Sequence, residues 1–347
     1  MVAPRRCDRV TSPRIAALGG LLVAGIALSA CSATQDVYVG RPTEPSQSAS
    51  PTSTLKPAVP GNSGVGRTFP IRLGAATRSY RLHIPLAAPP GPRPLVIAFH
   101  DGGSSATLLT EESGLDGAGD RGGVIVAYPE GVAGFWNNGL ASNVARTNNA
   151  NDLGLIAAII ADVAKKTRLD PTRVTVAGIG DGAVMALRVA AQEPHLIVGA
   201  VGIEGGLIDA AGAPRPTAPI TVLLTRSTED PTLPWTGLDS NSINGPQLSA
   251  IDTAGAFRQV DRLTKKSTET DRPVTDRDPG DGSLTFRTRW LGGARGTSVT
   301  LYKIQGAGGA WPGGTGQSAK TRSIGTLTRD FSGANIVIQF ALETRRV

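Results

Sequence analysis

The residues best placed to carry chemistry lie in a glycine-rich turn at residues 178–182, "GIGDG". An alternating strand pattern precedes this turn and a run of helix formers follows it, so the turn is predicted to join a strand to a helix. The pattern Gly178-x-Gly180-x-x-Ala183 fits the fingerprint of a dinucleotide-binding turn. Glu204 ends the next predicted strand, where an acid would bind a ribose. One interpretation is therefore a dinucleotide-binding protein.

Histidine is the usual proton acceptor at neutral pH, and this chain has three histidines. His83 lies inside a predicted strand and His195 follows a predicted helix, so both are interpreted as structural or surface residues. His100 precedes Asp101 in a predicted loop, and we expect its side chain to stabilise that loop. A catalytic pairing of His100 with Ser104 or Ser105 is the alternative. Outside the dinucleotide interpretation no cofactor is predicted, and no histidine or carboxylate cluster has metal-ligand spacing.

The first 30 residues are typical of an export signal. Four arginines are followed by an uncharged apolar run over 15–30, which is too short to span a membrane comfortably. The run ends in Leu28-Ser29-Ala30-Cys31, which looks like a bacterial lipobox, whose cysteine is lipidated and becomes the mature N-terminus. We therefore predict a protein exported and lipid-anchored to the outer face of a bacterial cytoplasmic membrane. An ordinary signal peptide or a short anchor helix is the alternative.

Composition limits the remaining function classes. Cys7 and Cys31 are the only cysteines, so after processing and lipidation no free thiol would remain for a disulfide or a catalytic cysteine. Processing would also lower the net charge from +7 to +4, and with 4% aromatic residues and no basic cluster nucleic-acid binding is not expected. Residues 31–66 are rich in Ser, Thr, Pro and Gly and are predicted to form a disordered tether, which leaves 67–347 for one domain.

Predicted strands and helices alternate through that domain. Buried strands are predicted in "RPLVIAF", "VIVAY" and "ITVLLT", because these are short continuous apolar runs. A helix is predicted to begin at Asn151, another near 247–264 and a last one over 331–343. The alternation predicts an α/β fold with a mostly parallel central sheet and helices on both faces. Functional residues of such a sheet belong at the carboxyl ends of its strands.

Four segments carry a resemblance to a known family. "YRLHIPLAAPPGPRPLVIAFHDGGSSA" is similar to the opening strands and oxyanion loop of the polyhydroxybutyrate depolymerase and feruloyl esterase-like branch of the α/β-hydrolases. "NDLGLIAAIIADVAKKTRLDPTRVTVAG" resembles the helix and strand that lead to that branch's nucleophile. "LLTRSTEDPTLPW" resembles its aspartate segment, and "LYKIQGAGGAWPGG" its G-G-G-H-T-W-P-G-G histidine loop. The resemblance implies a single-domain α/β-hydrolase fold.

Two of the three catalytic positions that the resemblance implies carry glycine. The nucleophilic serine would stand at Gly180 and the basic histidine at Gly309, and only the orienting acid, Asp230, remains. The implied oxyanion loop is formed by His100, Asp101 and Gly102 together with the residue after the nucleophile position, Asp181. An aspartate at 101 would repel a developing oxyanion.

The resemblance therefore implies a membrane-anchored esterase-like protein that has lost its catalytic triad. Such a pseudo-enzyme could retain a pocket near Trp235 and Trp311 for an ester, acyl or glycan ligand, or bind a protein partner. An active carboxylic ester hydrolase that uses other residues is the alternative, and a purely structural envelope lipoprotein is a third. Asp181 as a nucleophile is not expected, because it stands one position late. The dinucleotide interpretation is weakened by the predicted export, since nicotinamide cofactors are scarce outside the cytoplasm.

Overall fold

The computed structural model describes residues 66–86, 90–140, 144–242, 244–263, 268–315 and 324–346. The predicted leader, the predicted lipidation site Cys31 and nearly all of the predicted tether lie outside the described residues. In the ranges that are described, no helix is long and apolar enough to cross a membrane.

A ten-stranded sheet forms the centre of the described fold, in the order β1-β2-β4-β3-β5-β6-β7-β10-β9-β8. The six central strands, from β4 to β10 in that order, are parallel, and the outer strands on both sides are antiparallel. The strands are β1 (Arg67–Leu73), β2 (Ala76–His83), β3 (Arg93–Phe99), β4 (Ile125–Pro129), β5 (Leu169–Ile179), β6 (Gly199–Ile203), β7 (Thr221–Ser227), β8 (Thr268–Pro273), β9 (Leu284–Trp290) and β10 (Val299–Gln305).

Helices cover both faces of this sheet. The helices are α1 (Ala106–Ser113), α2 (Leu115–Gly122), α3 (Val144–Thr147), α4 (Asp152–Lys166), α5 (Asp181–Gln192), α6 (Ala250–Asp261) and α7 (Gly333–Glu343). Apolar side chains of α4, α5 and α6 join one core cluster, and those of α1, α2 and α7 join a second. β3 contributes to both clusters, because Leu95 and Ile97 point to the first and Val96 and Ala98 to the second. A strand buried on both faces needs a continuous apolar run.

The predicted α/β architecture is confirmed, including the strands at β2 to β7 and the helices at α4 to α7. Five elements were not predicted: α1, α2, the short α3, β8 and β9. β8 and β9 continue the sheet beyond its last parallel strand and carry polar and charged residues, so they lack the apolar pattern on which the other strands were predicted.

Candidate functional site

The loops that hold the predicted site residues meet at one edge of the sheet. His100 follows β3, Gly180 follows β5, Glu204 follows β6, and the loops after β7 and β10 contain Asp230 and Gly309. These five strands are parallel neighbours, so their carboxyl ends lie side by side. This is the edge at which open α/β sheets bind their ligands.

Gly180 forms the sharp turn between β5 and α5. Its backbone has φ 54° and ψ −122°, a conformation that only glycine adopts without strain. Its N–H donates to the carbonyl of Ile203 at 3.0 Å, and its carbonyl accepts from the N–H groups of Ala183 and Val184 at 2.9 and 3.1 Å. The turn is therefore fixed by the end of the neighbouring strand β6 and by the first turn of its own helix.

The two flanking glycines of the turn allow a close approach of backbones. A methyl group at Gly178 would overlap the carbonyl of Gly182, and one at Gly182 would overlap the carbonyl of Phe99 in β3. Packing between α5 and the sheet thus accounts for both glycines without any bound nucleotide.

We expect Gly182→Ala to destabilise the protein by about 1–3 kcal/mol, because the added methyl must displace the backbone of β3. Gly255→Ala is the matched control, since Gly255 lies in α6 with no atom within 4 Å of an added methyl. That change is expected to stabilise the protein by about 0.5–1 kcal/mol. Urea unfolding of the two variants measures both effects, and equal stability of the two would contradict the packing account.

Glu204 is not available to a ribose. It is 2% exposed, and its carboxylate accepts the N–H of Ser227 at 2.8 Å and lies 3.0 Å from that residue's hydroxyl. The side chain thus points into the protein toward β7, away from the glycine-rich turn. The dinucleotide interpretation is wrong about this residue, because the sequence could place Glu204 at the end of a strand but could not show which way its side chain faces.

The Asp101 carboxylate occupies the space between the loop after β3 and the start of α5. Its Oδ1 accepts the N–H of Gly102 at 2.7 Å and the N–H of Asp181 at 3.0 Å. A methyl group at Gly180 would overlap this carboxylate. A negative charge is well placed there, since helix N-termini present free N–H groups and a positive dipole end. The carboxylate of Asp101 is thus an anion bound by two backbone amides.

His100 is fully buried and braces its own loop. Its Nδ1 lies 2.8 Å from the Asp101 carbonyl, which can only accept, and its Nε2 accepts the N–H of Gly131 at 3.0 Å. The first bond therefore places a ring proton on Nδ1. Trp136 packs on the imidazole at 4.7 Å between ring centroids and donates its indole N–H to the His100 carbonyl. Ser105, one of the two nearby serines, caps α1.

The other two histidines lie away from this edge of the sheet. His83 is buried beside α2, with its Nε2 2.8 Å from the carboxylate of Asp120. His195 is largely exposed after α5, 3.5 Å from Glu193. Among the described residues there is also no group of three or more metal-ligating side chains that could hold a metal ion.

Asp230 and Gly309 lie in contact. Oδ1 of Asp230 accepts the N–H and the hydroxyl of Thr232, each at 2.7 Å, and the N–H of Leu233 at 3.2 Å. A methyl group at Gly309 would overlap the same carboxylate. The loop of Gly309 is tied to that of Asp230, because Glu229 donates its N–H to the carbonyl of Ala307 at 3.0 Å. The structure thus brings together the two positions to which the resemblance assigned the acid and the base.

Three ionisable side chains, Glu204, Arg226 and Asp230, are buried beneath this edge, and the sequence did not predict them as a cluster. Burial raises the pKa of Glu204 to about 8, while the Ser227 amide and the charge of Arg226 act in the opposite direction and that of Asp230 adds to the increase. Burial lowers the pKa of Arg226, whose Nη2 donates to the carbonyl of Pro234 at 2.6 Å. The sequence signal for the cluster is an arginine inside an otherwise uncharged strand.

The two tryptophans predicted near the pocket have different surroundings. Trp311 is 4% exposed and belongs to the core cluster shared with α1, α2 and α7. Trp235 is half-buried, and the ammonium of Lys303 lies 5.5 Å from its ring centroid. Trp311 is therefore a packing residue, and Trp235 is the one with exposed ring surface.

A mostly parallel sheet with a strand–turn–helix at Gly180 and an acid after β7 is the architecture of the α/β-hydrolase fold. The family model "Esterase PHB depolymerase" matches residues 78–260. A protein described as "Putative esterase NocK", from Nocardia uniformis subsp. tsuyamanensis, is 33% identical over 277 residues, which is 77% of this chain and 79% of the relative. The chain belongs to the esterase PHB depolymerase family.

Solved structures of esterases resemble the chain more distantly. An acetyl xylan esterase from Aspergillus awamori has a TM-score of 0.46 at 15% identity, over 67% of this chain and 89% of that one. The S-formylglutathione hydrolase FrmB of Staphylococcus aureus has a TM-score of 0.35 at 11% identity, over 48% of this chain and 80% of that one.

Proposed function

We propose that this protein is a catalytically inactive member of its family, retained for binding. The observation that carries the proposal is the Asp101 carboxylate, which accepts both the Gly102 and the Asp181 N–H groups directly beside Gly180. In the resemblance Gly102 and Asp181 belong to the oxyanion loop, and Gly180 stands at the nucleophile position.

The chemistry of ester hydrolysis requires groups that these positions do not supply. A serine attacks a carbonyl only when a base accepts its proton, and the aspartate acts by orienting that base. With glycine at 180 and at 309, Asp230 has no base to orient. Because the three groups act as a unit, the loss of two leaves at best a rate ~10³–10⁴-fold above that of the reaction in water, which binding and an oxyanion hole supply.

The Asp101 carboxylate removes the oxyanion hole as well. An oxyanion hole stabilises the transition state because its N–H groups are free to donate to the negative charge that develops there. Here the Asp101 carboxylate already accepts both N–H groups, so neither is free to donate to a substrate carbonyl oxygen. The negative charge of the carboxylate would also repel the developing oxyanion. Loss of a single donor costs about 10²–10³ in rate in other enzymes, and two are engaged here.

Export and anchoring through Cys31 are part of the proposal and rest on the sequence of the first 31 residues. A domain held outside the membrane by the tether could present the carboxyl edge of its sheet to an ester, acyl or glycan ligand, or to a protein partner. The exposed ring surface of Trp235 beside Lys303 supports a contact of this kind.

Hydrolysis of p-nitrophenyl acetate and butyrate tests the proposal. The purified protein is expected to release p-nitrophenol no faster than the same protein after heat denaturation. Saturable turnover above that blank would overturn the proposal. It would favour the alternative, an active carboxylic ester hydrolase, which the family membership supports.

A further inference from the structure

A second site lies at the amino edge of the sheet, opposite the candidate site. A cavity of about 610 Å³ is bordered there by Val198, Thr221 and Ser298, at the beginnings of β6, β7 and β10. The length of the strands, about 20 Å, separates it from the carboxyl edge. The cavity has the size of a small-molecule site.

The walls of this cavity are strongly cationic. Its lining contains five arginines and one acidic residue, Glu343; the arginines are Arg287, Arg289, Arg295, Arg345 and Arg346. We call it the arginine cavity. Guanidinium groups that share a cavity repel one another, and an anion bound between them removes that repulsion. The planar guanidinium also matches the oxygens of phosphate and carboxylate groups in two-point contacts.

Three of these arginines lack close partners. Arg287 and Arg289 project from the same face of β9, and each lies 3.9 Å from one oxygen of Glu269, beyond hydrogen-bond distance. The Nε of Arg287 is buried without a hydrogen-bond partner. Arg295 is exposed in a tight turn and has φ 59°. Arg346 differs, because it donates to the carbonyl of His195 at 2.7 Å.

The remaining walls fit an organic molecule. Thr300 and Tyr302 of β10 stand opposite Arg289 and Arg287 in the strand register and line the cavity with them. The lining also has an apolar wall, which includes Ile197, Val198, Ile336 and Phe340. A ligand with an anionic end and a less polar body would contact the arginines with its anionic end and the apolar wall with its body. β9, Arg295 and α7 all lie outside residues 78–260, so the family match assigns no role to this cavity.

We propose that the arginine cavity binds a phosphate-bearing organic molecule, with its phosphate between Arg287, Arg289 and Arg295 and its body against the apolar wall. A water-soluble phosphate ester and the headgroup of an anionic phospholipid share this chemistry. The proposal does not depend on whether the protein hydrolyses esters.

Titration calorimetry with glycerol 3-phosphate, and co-sedimentation with phosphatidylglycerol or phosphatidylcholine vesicles, test this proposal. The full chain with Cys31→Ser is used, so that lipidation cannot cause vesicle binding. We expect saturable binding of one phosphate ligand per chain, and at least tenfold weaker binding by Arg287→Gln/Arg289→Gln. Binding of glycerol 3-phosphate supports a soluble ligand. Binding of phosphatidylglycerol vesicles alone supports a headgroup only where Arg287→Gln/Arg289→Gln weakens it, because the basic, apolar leader can itself attract anionic vesicles.

The control is Arg72→Gln/Arg277→Gln, which removes the same charge from exposed positions outside the cavity. It is expected to bind as the unaltered chain does. Arg295→Gly is a second test variant that relieves a positive φ and so should fold; it is expected to bind at least threefold more weakly. The proposal is overturned if neither probe saturates, or if the control weakens binding as much as the cavity variants.

Discussion

Asp101→Gly/Gly180→Ser/Gly309→His is expected to hydrolyse p-nitrophenyl butyrate at least 10²-fold faster than Gly180→Ser/Gly309→His. In the double variant the new serine must share its space with the Asp101 carboxylate, which also keeps both amides occupied. Replacing Asp101 by glycine opens the space and frees the N–H groups of Gly102 and Asp181 for the oxyanion. Initial rates under identical conditions measure the difference.

Asp101→Gly alone is the matched control and should stay at the rate of the denatured blank, because it supplies neither a nucleophile nor a base. The serine at 180 adopts a positive φ, so a stability loss of about 1–3 kcal/mol is expected, and thermal unfolding establishes that each variant is folded. A folded triple variant without activity would contradict the assignment of Gly180 and Gly309 as the nucleophile and base positions.

Glu204→Gln is expected to flatten the pH dependence of stability, with its largest effect above pH 8. The folded protein holds the Glu204 proton up to a pKa of about 8, against about 4.5 in the unfolded chain. Below pH 4.5 the Glu204 carboxyl is protonated in both the folded and the unfolded state, so its pKa difference does not lower the free energy of unfolding. As the pH rises toward 8 only the unfolded state loses the proton, so stability falls, by roughly 3–5 kcal/mol in total.

Urea unfolding of the unaltered protein and of Glu204→Gln at pH 4.5, 6.5 and 8.5 measures this effect. The two proteins should be about equally stable at pH 4.5, and the variant should be the more stable at pH 8.5, since glutamine can still accept the Ser227 N–H. Glu111→Gln, on the exposed side of α1, controls for the lost charge and should change stability by less than about 0.5 kcal/mol at any pH. Parallel pH profiles for all three proteins would contradict the account.

The parallel strands were predictable from the sequence and the added strands were not, for a physical reason. A strand such as β3 is buried on both faces. Six of its seven residues are buried, and all six are apolar or proline. β8 is the edge strand and β9 lies next to it, and both carry mostly polar and charged residues, so their sequences resemble loops. α2, "LDGAGDRG", contains three glycines and so has low helix propensity; its buried leucine and alanine hold it against the sheet.

The candidate site shows a similar division. The resemblance assigned positions 180, 230 and 309 through local motifs, and the structure brings Asp230 and Gly309 into contact. The bonds of Asp101 could not be predicted in this way, because its partner Asp181 is 80 residues away and the contact depends on how the loop after β3 packs on α5. The sequence predicted that Asp101 would repel an oxyanion, and the structure adds that its carboxylate accepts the N–H groups of Gly102 and Asp181.

Ester hydrolysis by the unaltered protein tests the central claim most directly, with the triple variant as the positive control in the same assay. The account predicts that p-nitrophenol release from the unaltered protein equals that of the heat-denatured blank at every substrate concentration, while the triple variant shows saturable turnover. Saturable turnover by the unaltered protein, abolished by one equivalent of a serine-directed phosphonate per chain, would contradict the account and reveal an active nucleophile at another position.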